Sequence, residues 1–216
     1  MLPAVAIAAL VICTIGYFAL RPMQPKPVTI RIGIATWAGF GTGIVGMEKG
    51  FFPGIDVQTK TLDDARARQA AFVSGDLDIM ISSVDLFAQE AAKGIQGKVF
   101  LVTDESRGGD GIVAKAEIKT IADLRGKKVA YAHGGPSDYL LFKALDKAGV
   151  KLSDVKRIQV DDPSRAGETF MSGDVDAAVT WEPFLSNATQ SRKGHILATT
   201  KDYPEIIVDI LVPRPI

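Results

Sequence analysis

The chain has 216 residues, of which 47% are hydrophobic and 23% are charged, and its 25 basic residues balance its 25 acidic ones. This composition predicts a globular protein with one large or two small domains. The balanced charge, without a basic run, excludes a protein that binds nucleic acid through its phosphates. The single cysteine, Cys13, excludes an internal disulfide framework and a metal site built from several cysteines.

The start of the chain is a segment of its own. Residues Leu2 to Leu20 carry no charge and are just long enough to cross a bilayer as a helix. We predict that residues 1–21 are an uncleaved membrane anchor, with a signal segment as the alternative, and that the proline-rich residues 22–27 are a linker. Arg21 and Lys26 follow the apolar segment, and by the positive-inside tendency they argue against export of the domain.

Strands and helices alternate along the rest of the chain. The first half predicts strands at Val28–Ile34, Val57–Thr59, Ile79–Ile81 and Val99–Val102, with helices at Thr42–Lys49, Leu62–Val73 and Val84–Lys93. The second half predicts strands at Lys128–Ala132, Arg157–Val160, Ala177–Val179, His195–Thr199 and Ile206–Val212, with helices at Ile121–Leu124, Asp138–Ala148 and Ser164–Met171. Between the halves, the glycine-rich stretch Thr103–Ile112 predicts a hinge loop. The alternation is typical of α/β proteins with a parallel sheet.

A short pattern occurs twice, as VSGDLDIMISSVD at Val73–Asp85 and as MSGDVDAAVTWEP at Met171–Pro183. In each copy a glycine suits the left-handed position that ends a helix, and the aspartates suit the turn that follows. A short apolar strand comes next. Two copies of one helix–turn–strand unit predict two similar α/β lobes.

Ligands of open α/β sheets bind outside the carboxyl ends of the strands. The residues that leave the two repeated strands are therefore candidates for a ligand site. They are Ser82, Ser83 and Asp85 in one lobe, opposite Thr180, Trp181 and Glu182 in the other.

Aromatic residues follow strands or start helices at Trp37, Phe40, Tyr139 and Trp181. Aromatic side chains often form the walls of small-ligand clefts and can surround a cationic group. We predict that these four residues, with Gly39 in the same loop as Trp37, contribute to a cleft. The alternative is that one or two of them only pack the lobe surfaces.

Two groups of polar residues indicate opposite ligand charges. Ser137 is a good N-cap for the helix Asp138–Ala148, and such a helix start can bind an anion. Asp138 at the same place would itself satisfy the helix dipole and repel an anion. A second group of polar residues is acidic, lies at strand ends and in the hinge, and consists of Asp85, Asp104, Asp110 and Glu182. These carboxylates could receive an ammonium or amidine group, or could simply be solvated.

Motifs for catalysis, metals and cofactors are missing from the sequence. His133 and His195 are the only histidines, and neither has metal-ligand spacing. The sequence contains no GxSxG elbow and no phosphate-binding loop. We therefore predict no catalytic residue, no metal and no cofactor.

Four colinear segments between Val28 and Val212 carry a family resemblance: TWAGFGTGIVGMEKGFF, DESRGGDGIVAK, IADLRGKKVAY with GGPSDYLL, and SGDVDAAVTWEP. The sequence resembles the periplasmic substrate-binding proteins of ABC importers for nitrate, aliphatic sulfonates, taurine and thiamine-pyrimidine precursors. The resemblance implies a two-lobed α/β fold of the type II periplasmic-binding kind, with a central ligand cleft and preceded here by the N-terminal hydrophobic helix. It also implies that the ligand faces Trp37, Gly39, Phe40, Ser82-Ser83, Ser137 and Thr180–Glu182.

Two departures from the family are expected to matter. Relatives usually continue into C-terminal helices that pack on the first lobe, so this chain is expected to be a fragment or to have an incomplete first lobe. Relatives often have a non-acidic residue at the position of Asp138, which argues against a simple anion as ligand.

The resemblance implies the solute-binding component of an ABC importer, which captures a small nitrogen- or sulfur-containing organic solute and docks on permease subunits. Its expected location is the periplasm or the outer face of the cytoplasmic membrane. The alternatives are an enzyme on the same fold, of the pyrimidine-precursor synthase or dehydratase type, and a sensory ectodomain. We assign residues 28–107 and 204–216 to the first lobe and residues 108–203 to the second.

Overall fold

The structure is a computed structural model that describes residues 26–215. The predicted membrane segment, residues 2–20, and most of the predicted linker lie outside the described residues. Within residues 26–215, no helix combines the length and the apolar character that crossing a bilayer requires.

The first half of the chain builds a five-stranded sheet in the order β2-β1-β3-β10-β4. Its strands are β1 (Val28–Ile34), β2 (Ile55–Thr61), β3 (Ile79–Ser83), β4 (Leu101–Glu105) and the late β10 (Val208–Pro213). Its helices are α1 (Gly41–Glu48), α2 (Ala65–Ser74) and α3 (Val84–Ala92), with a 3-10 turn at Ala38–Phe40.

The second half builds another five-stranded sheet in the order β7-β6-β8-β5-β9. Its strands are β5 (Asp110–Ala114), β6 (Lys128–Ala132), β7 (Lys156–Val160), β8 (Ala177–Trp181) and β9 (His195–Thr199). Its helices are α4 (Pro136–Lys147), α5 (Pro163–Ser172) and α6 (Phe184–Gln190), with 3-10 turns at Ile121–Leu124 and Leu152–Asp154.

The two sheets share one plan. In each, three neighbouring strands are parallel, and the fourth runs antiparallel to both of its neighbours; this fourth strand is β10 in the first sheet and β5 in the second. The two similar α/β lobes predicted from the repeated pattern are therefore present. The predicted parallel pairing is present in three strands of each sheet, and the fourth strand is antiparallel because the chain enters each sheet once from the other lobe.

The chain passes between the lobes twice, from β4 to β5 and from β9 to β10. The two crossings are bonded to each other: the hydroxyls of Ser106 and Thr200 lie 3.0 Å apart, and Ser106 N donates to Ile207 O at 3.0 Å. The predicted loop Thr103–Ile112 was wrong in extent, because only Ser106–Gly109 lies between the two strands. Glycine is needed within β5 itself, where a Cβ on Gly111 would lie 2.7 Å from the backbone oxygen of Ala198.

Two helix starts also differ from the prediction, one because of its capping residue and the other because of a proline. Helix α2 begins at Ala65 rather than Leu62, because the Asp64 carboxylate accepts from Arg66 N at 2.7 Å. Helix α4 begins at Pro136, which suits the first helical position, so Ser137 is a buried residue of the first turn rather than the N-cap.

The repeated pattern plays the same role in both lobes. Gly75 and Gly173 end their helices with φ of 86° and 92°. The second aspartate of each copy then accepts from the backbone of a neighbouring strand and from a cation. Asp78 accepts from Arg31 N at 2.9 Å and from Arg31 Nη2 at 2.8 Å. Asp176 accepts from Lys128 N at 2.9 Å and from Lys115 Nζ at 3.0 Å. The bonds from Arg31 lower the pKa of Asp78 to about 2.

Gly173 allows a test of the helix ending. We expect Gly173→Ala to lower the free energy of unfolding by about 1–2 kcal/mol, because a Cβ disfavours its left-handed backbone. The space around the Cβ position is open, so no clash adds to this loss. Urea denaturation measures the change. The matched control is Gly41→Ala, since Gly41 has equally open space but a helical φ of −57°; an equal loss in both variants would contradict the explanation.

One face of the first sheet carries an apolar groove of about 350 Å³. Isoleucines of β1 and β3 form its floor, together with Leu211 of β10, and residues of α1 border it. The second lobe, by contrast, packs buried side chains on both faces of its sheet. The two sheets therefore share strand order and differ in how completely they are covered.

Candidate ligand-binding site

A cleft of about 260 Å³ is lined by residues of both lobes. The first lobe contributes the loop after β1, the end of β3, and parts of α2 and α3. The second lobe contributes the loop after β6, the start of α4, and the end of β8. Six of the predicted site residues line this cleft: Trp37, Phe40, Ser82, Ser83, Ser137 and Trp181.

Two tryptophans, one from each lobe, meet at the cleft. The ring centroids of Trp37 and Trp181 are 6.0 Å apart and the rings are tilted by 39°. Trp181 Nε1 donates to Ser164 Oγ at 3.1 Å, and Trp37 Nε1 donates to the Asp104 carboxylate at 3.2 Å. Each indole is therefore held through its N–H by its own lobe. The rings can offer their apolar surface to a ligand.

The other five predicted site residues do not line the cleft. The Thr180 hydroxyl is fully buried and donates to Pro163 O at 2.6 Å. The Glu182 carboxylate accepts from the backbone N and the hydroxyl of Ser186, at 3.1 and 2.9 Å, at the start of α6. Tyr139 is exposed on α4.

Gly39 and Asp104 stand behind Trp37. A Cβ on Gly39 would collide with the Asp104 carboxylate and with the Trp37 indole. Gly39 thus allows the close approach of loop and strand that places Trp37, and it lines the apolar groove rather than the cleft. Asp104 holds the indole N–H of Trp37.

Among the charged residues that line the cleft, Arg68, Glu90 and Asp209 were absent from the predicted set, whereas Asp110 belongs to the acidic set named from the sequence. Two of the absent residues carried a signal in the sequence. Arg68 is spaced three and four residues before the apolar Ala71 and Phe72, which places it on the buried face of α2. Asp209 is a lone charge within the apolar run IIVDILV.

Burial controls the protonation of these acids. Desolvation raises the pKa of Glu90 to about 7, against a partial opposing effect of Arg68. Desolvation also raises the pKa of Asp110 to about 7. Asp209 lies opposite Asp104 in the strand register, and burial together with that neighbouring carboxylate raises its pKa. The cleft therefore holds acids that can take up or release protons near neutral pH.

Within residues 26–215, two polar atoms at the cleft have no hydrogen-bond partner. They are Glu90 Oε2 and Ser83 Oγ, and both atoms are buried. Buried polar groups are nearly always paired in folded proteins, so unpaired ones indicate a place for a missing partner. Among residues 26–215, no group of His, Cys, Asp and Glu side chains is arranged to hold a metal ion.

The start of α4 forms the second-lobe edge of the cleft. Gly134 N donates to Asp138 Oδ2 at 3.1 Å, and His133 Nδ1 lies 2.7 Å from the same oxygen. Asp138 thus supplies a carboxylate to the loop and helix start, as its position in the sequence indicated. An outside anion would have to displace or oppose it.

Two α/β lobes that each contain a five-stranded sheet, with a cleft between them, define the two-lobed periplasmic-binding-protein fold. The periplasmic aliphatic sulphonate binding protein of Escherichia coli has this fold, with a TM-score of 0.70 and 26% identity; the match covers 87% of this chain and 65% of that one. The nitrate-binding protein of Synechocystis also superposes with a TM-score of 0.70, covering 88% of this chain and 56% of its own. The predicted fold class is confirmed.

The chain belongs to the NMT1/THI5-like family, whose model matches residues 37–204. A Brucella abortus relative named "Putative binding protein" is 32% identical over 181 residues, which are 82% of this chain and 55% of the relative. The taurine-binding periplasmic protein of Escherichia coli is 27% identical over 148 residues, covering 68% and 45%. The family resemblance seen in the sequence is thereby confirmed. The chain spans about half the length of the curated relatives it matches.

Proposed function

We propose that the chain captures a small nitrogen- or sulfur-containing organic solute in the cleft between its lobes, as the solute-binding component of an ABC-type importer. The observation that carries this proposal is a cleft lined from both lobes, with Trp37 and Trp181 meeting across it. Clefts with aromatic walls and a few polar groups are typical small-molecule sites, and this one lies just below their usual volume of about 300–1,000 Å³. The relatives with named ligands are binding proteins, which favours binding over turnover.

We further propose the periplasm as the location and the permease subunits of the importer as partners, in line with periplasmic relatives. In this proposal residues 1–21 anchor or export the chain. Residues 28–107 with 204–216 form one lobe and residues 108–203 the other. The two sheets and the two crossings between them support this division.

The site of the proposed function consists of the six predicted residues that line the cleft and the four charged residues beside them. Gly39, Asp104 and Thr180 serve it indirectly, because they position Trp37 and the end of β8. Glu182 holds the start of α6, which follows Trp181 directly. Tyr139 lies one turn into α4 and stays a predicted contact for a ligand larger than the cleft.

Calorimetry on the full chain tests the proposal. The panel is alkanesulfonates, taurine, nitrate and small pyrimidines, and we expect saturable heat from at least one of them. Small-angle scattering in its presence should show a smaller radius of gyration, because ligands of two-lobed proteins draw the lobes together. A protein with a cooperative thermal transition that binds none of the panel would contradict the proposed function.

A further inference from the structure

We propose that the cleft selects a ligand with a positively charged nitrogen group, an ammonium or an amidinium, over a simple anion. Glu90, Asp110 and Asp209 receive that group. The inference rests on the proposed function, since it names the chemical class of ligand that the same cleft takes.

The first reason is a surplus of acceptors at the cleft. Glu90 is only 4% exposed, yet its Oε2 has no hydrogen-bond partner among residues 26–215. An ionised carboxylate oxygen can only accept, so what Glu90 Oε2 lacks in that form is a donor. An ammonium brings three N–H donors and an amidinium four, whereas a sulfonate or a nitrate brings only acceptors. A nitrogen cation completes the bonding of Glu90, and a simple anion leaves it unpaired.

The second reason is the charge that surrounds the cleft. Glu90, Asp110 and Asp209 line it, and Asp104 lies opposite Asp209 in the strand register. A charge placed among buried groups of its own sign is strongly disfavoured, because the interior screens the repulsion poorly. Where these acids are ionised, a simple anion would therefore enter against their charge, or would have to bring protons with it.

The cations at the cleft offset this arrangement only in part. Among the described residues that line the cleft, Arg68 is the buried cation, and its guanidinium is engaged by the backbone: Nε donates to Ile81 O at 2.9 Å, and a terminal nitrogen donates to Leu62 O. Arg66 and Lys93 also line the cleft, but both are exposed to solvent. Two of the three guanidinium nitrogens of Arg68 are thus bonded to the backbone, and Arg66 and Lys93 lie in solvent, so these cations compensate the three acids of the cleft only in part.

The third reason is the helix start that would otherwise hold an anion. Asp138 already occupies the loop before α4, with Gly134 N as donor and His133 beside it. The two tryptophans of the cleft add to the same preference, because the faces of indole rings attract cations. Both edges of the cleft thus favour positive charge.

Three probes that share one aromatic ring separate charge from shape: benzamidinium, benzyl alcohol and benzenesulfonate. We expect calorimetry on the full chain at pH 7.5 to show that benzamidinium binds at least about tenfold more tightly than benzenesulfonate, with benzyl alcohol between them. The variant Glu90→Gln/Asp209→Asn should lower the affinity for benzamidinium by at least about tenfold and change that for benzyl alcohol by less than about twofold. The matched control is Asp146→Asn, an exposed carboxylate on α4 outside the cleft. It should change neither affinity.

Thermal melts establish that each variant is folded, and Glu90→Gln alone replaces the double variant if that one lacks a cooperative transition. Benzenesulfonate binding as tightly as benzamidinium, or a variant that keeps full affinity for benzamidinium, would overturn the inference. The inference would also be overturned if the chain bound none of the three probes but did bind an alkanesulfonate or nitrate. In that case the proposed function would still stand. If neither these probes nor the importer panel bind to the folded chain, both are overturned.

Discussion

Trp181→Ala is expected to weaken ligand binding by about 1–3 kcal/mol, which corresponds to roughly 5- to 150-fold in affinity. The substitution removes the second-lobe half of the tryptophan pair, whose ring centroids are 6.0 Å apart. It should shift the thermal midpoint comparatively little, because Trp181 is only partly buried and packs at the edge of a small apolar cluster. Calorimetry with the tightest ligand of the panel, together with circular dichroism melts, gives both numbers.

Phe142→Ala is the matched control for this experiment. Phe142 is an aromatic residue of the same lobe that is 48% exposed on α4 and does not line the cleft. Its loss should leave affinity unchanged. If Trp181→Ala instead unfolds the chain while the folded fraction binds normally, Trp181 belongs to the core and the proposed site is wrong.

A second large effect is expected from pH. The pKa values of Glu90 and Asp110 are raised to about 7 in the folded chain, from ordinary values of 4.5 and 3.8. A group whose pKa is raised on folding stabilises the fold while it is protonated, and this contribution is lost as pH rises through the folded pKa. The stability of the ligand-free chain should therefore fall between about pH 5 and pH 7.5.

The size of the fall follows from linkage. One such group that titrates across two pH units costs about 2.7 kcal/mol, or roughly 5–10 °C in thermal midpoint for a chain of this size. The lowered pKa of Asp78, about 2, acts in the opposite sense: its stabilisation is present above pH 4 and disappears only in acid. The thermal midpoint should therefore be highest near pH 5.

Asp110→Asn isolates the cause of this pH dependence, because an amide imitates the protonated acid and cannot ionise. We expect the variant to lose less stability than the parent between pH 5 and pH 7.5 in calorimetric scans. Asp146→Asn, on the exposed surface of α4, should keep the parent's slope. A thermal midpoint that is flat or rises from pH 5 to pH 7.5 would contradict the assigned protonation states.

The lobes could be predicted from the sequence because their signals are local. The repeated SGDxD turn, its glycines and the apolar strand after it lie within a dozen residues, and both copies fold as that pattern indicates. The rule that ligands lie past the strand ends likewise brought Ser82, Ser83 and Trp181 to the cleft. Thr180 is different, since it is the last buried residue of β8 and its hydroxyl faces Pro163 rather than solvent.

The charged part of the cleft could not be predicted in the same way. Arg68 and Glu90 lie on different helices, and Asp209 comes from the last strand, which enters the first sheet between β3 and β4. These residues are buried together, and influence one another's pKa values, only because tertiary packing joins parts of the chain more than a hundred residues apart. The acidic set named from the sequence included Asp110 but also Glu182, whose carboxylate instead bonds the start of α6.

The paired crossings between the lobes have a mechanical consequence. The two connecting segments, residues 106–109 and 200–207, are bonded to each other through Ser106 and Thr200. We therefore expect the lobes to move mainly by rotation about the line of this pair. The acids Asp104, Asp110 and Asp209 lie on the strands nearest this axis, so a ligand bound to them lies close to it. The edge strands β2 and β7 lie furthest from the axis and therefore undergo the largest displacement when the lobes rotate. A partner protein that distinguishes the ligand-bound form from the free form would therefore see the largest displacement at β2 and β7, far from the ligand.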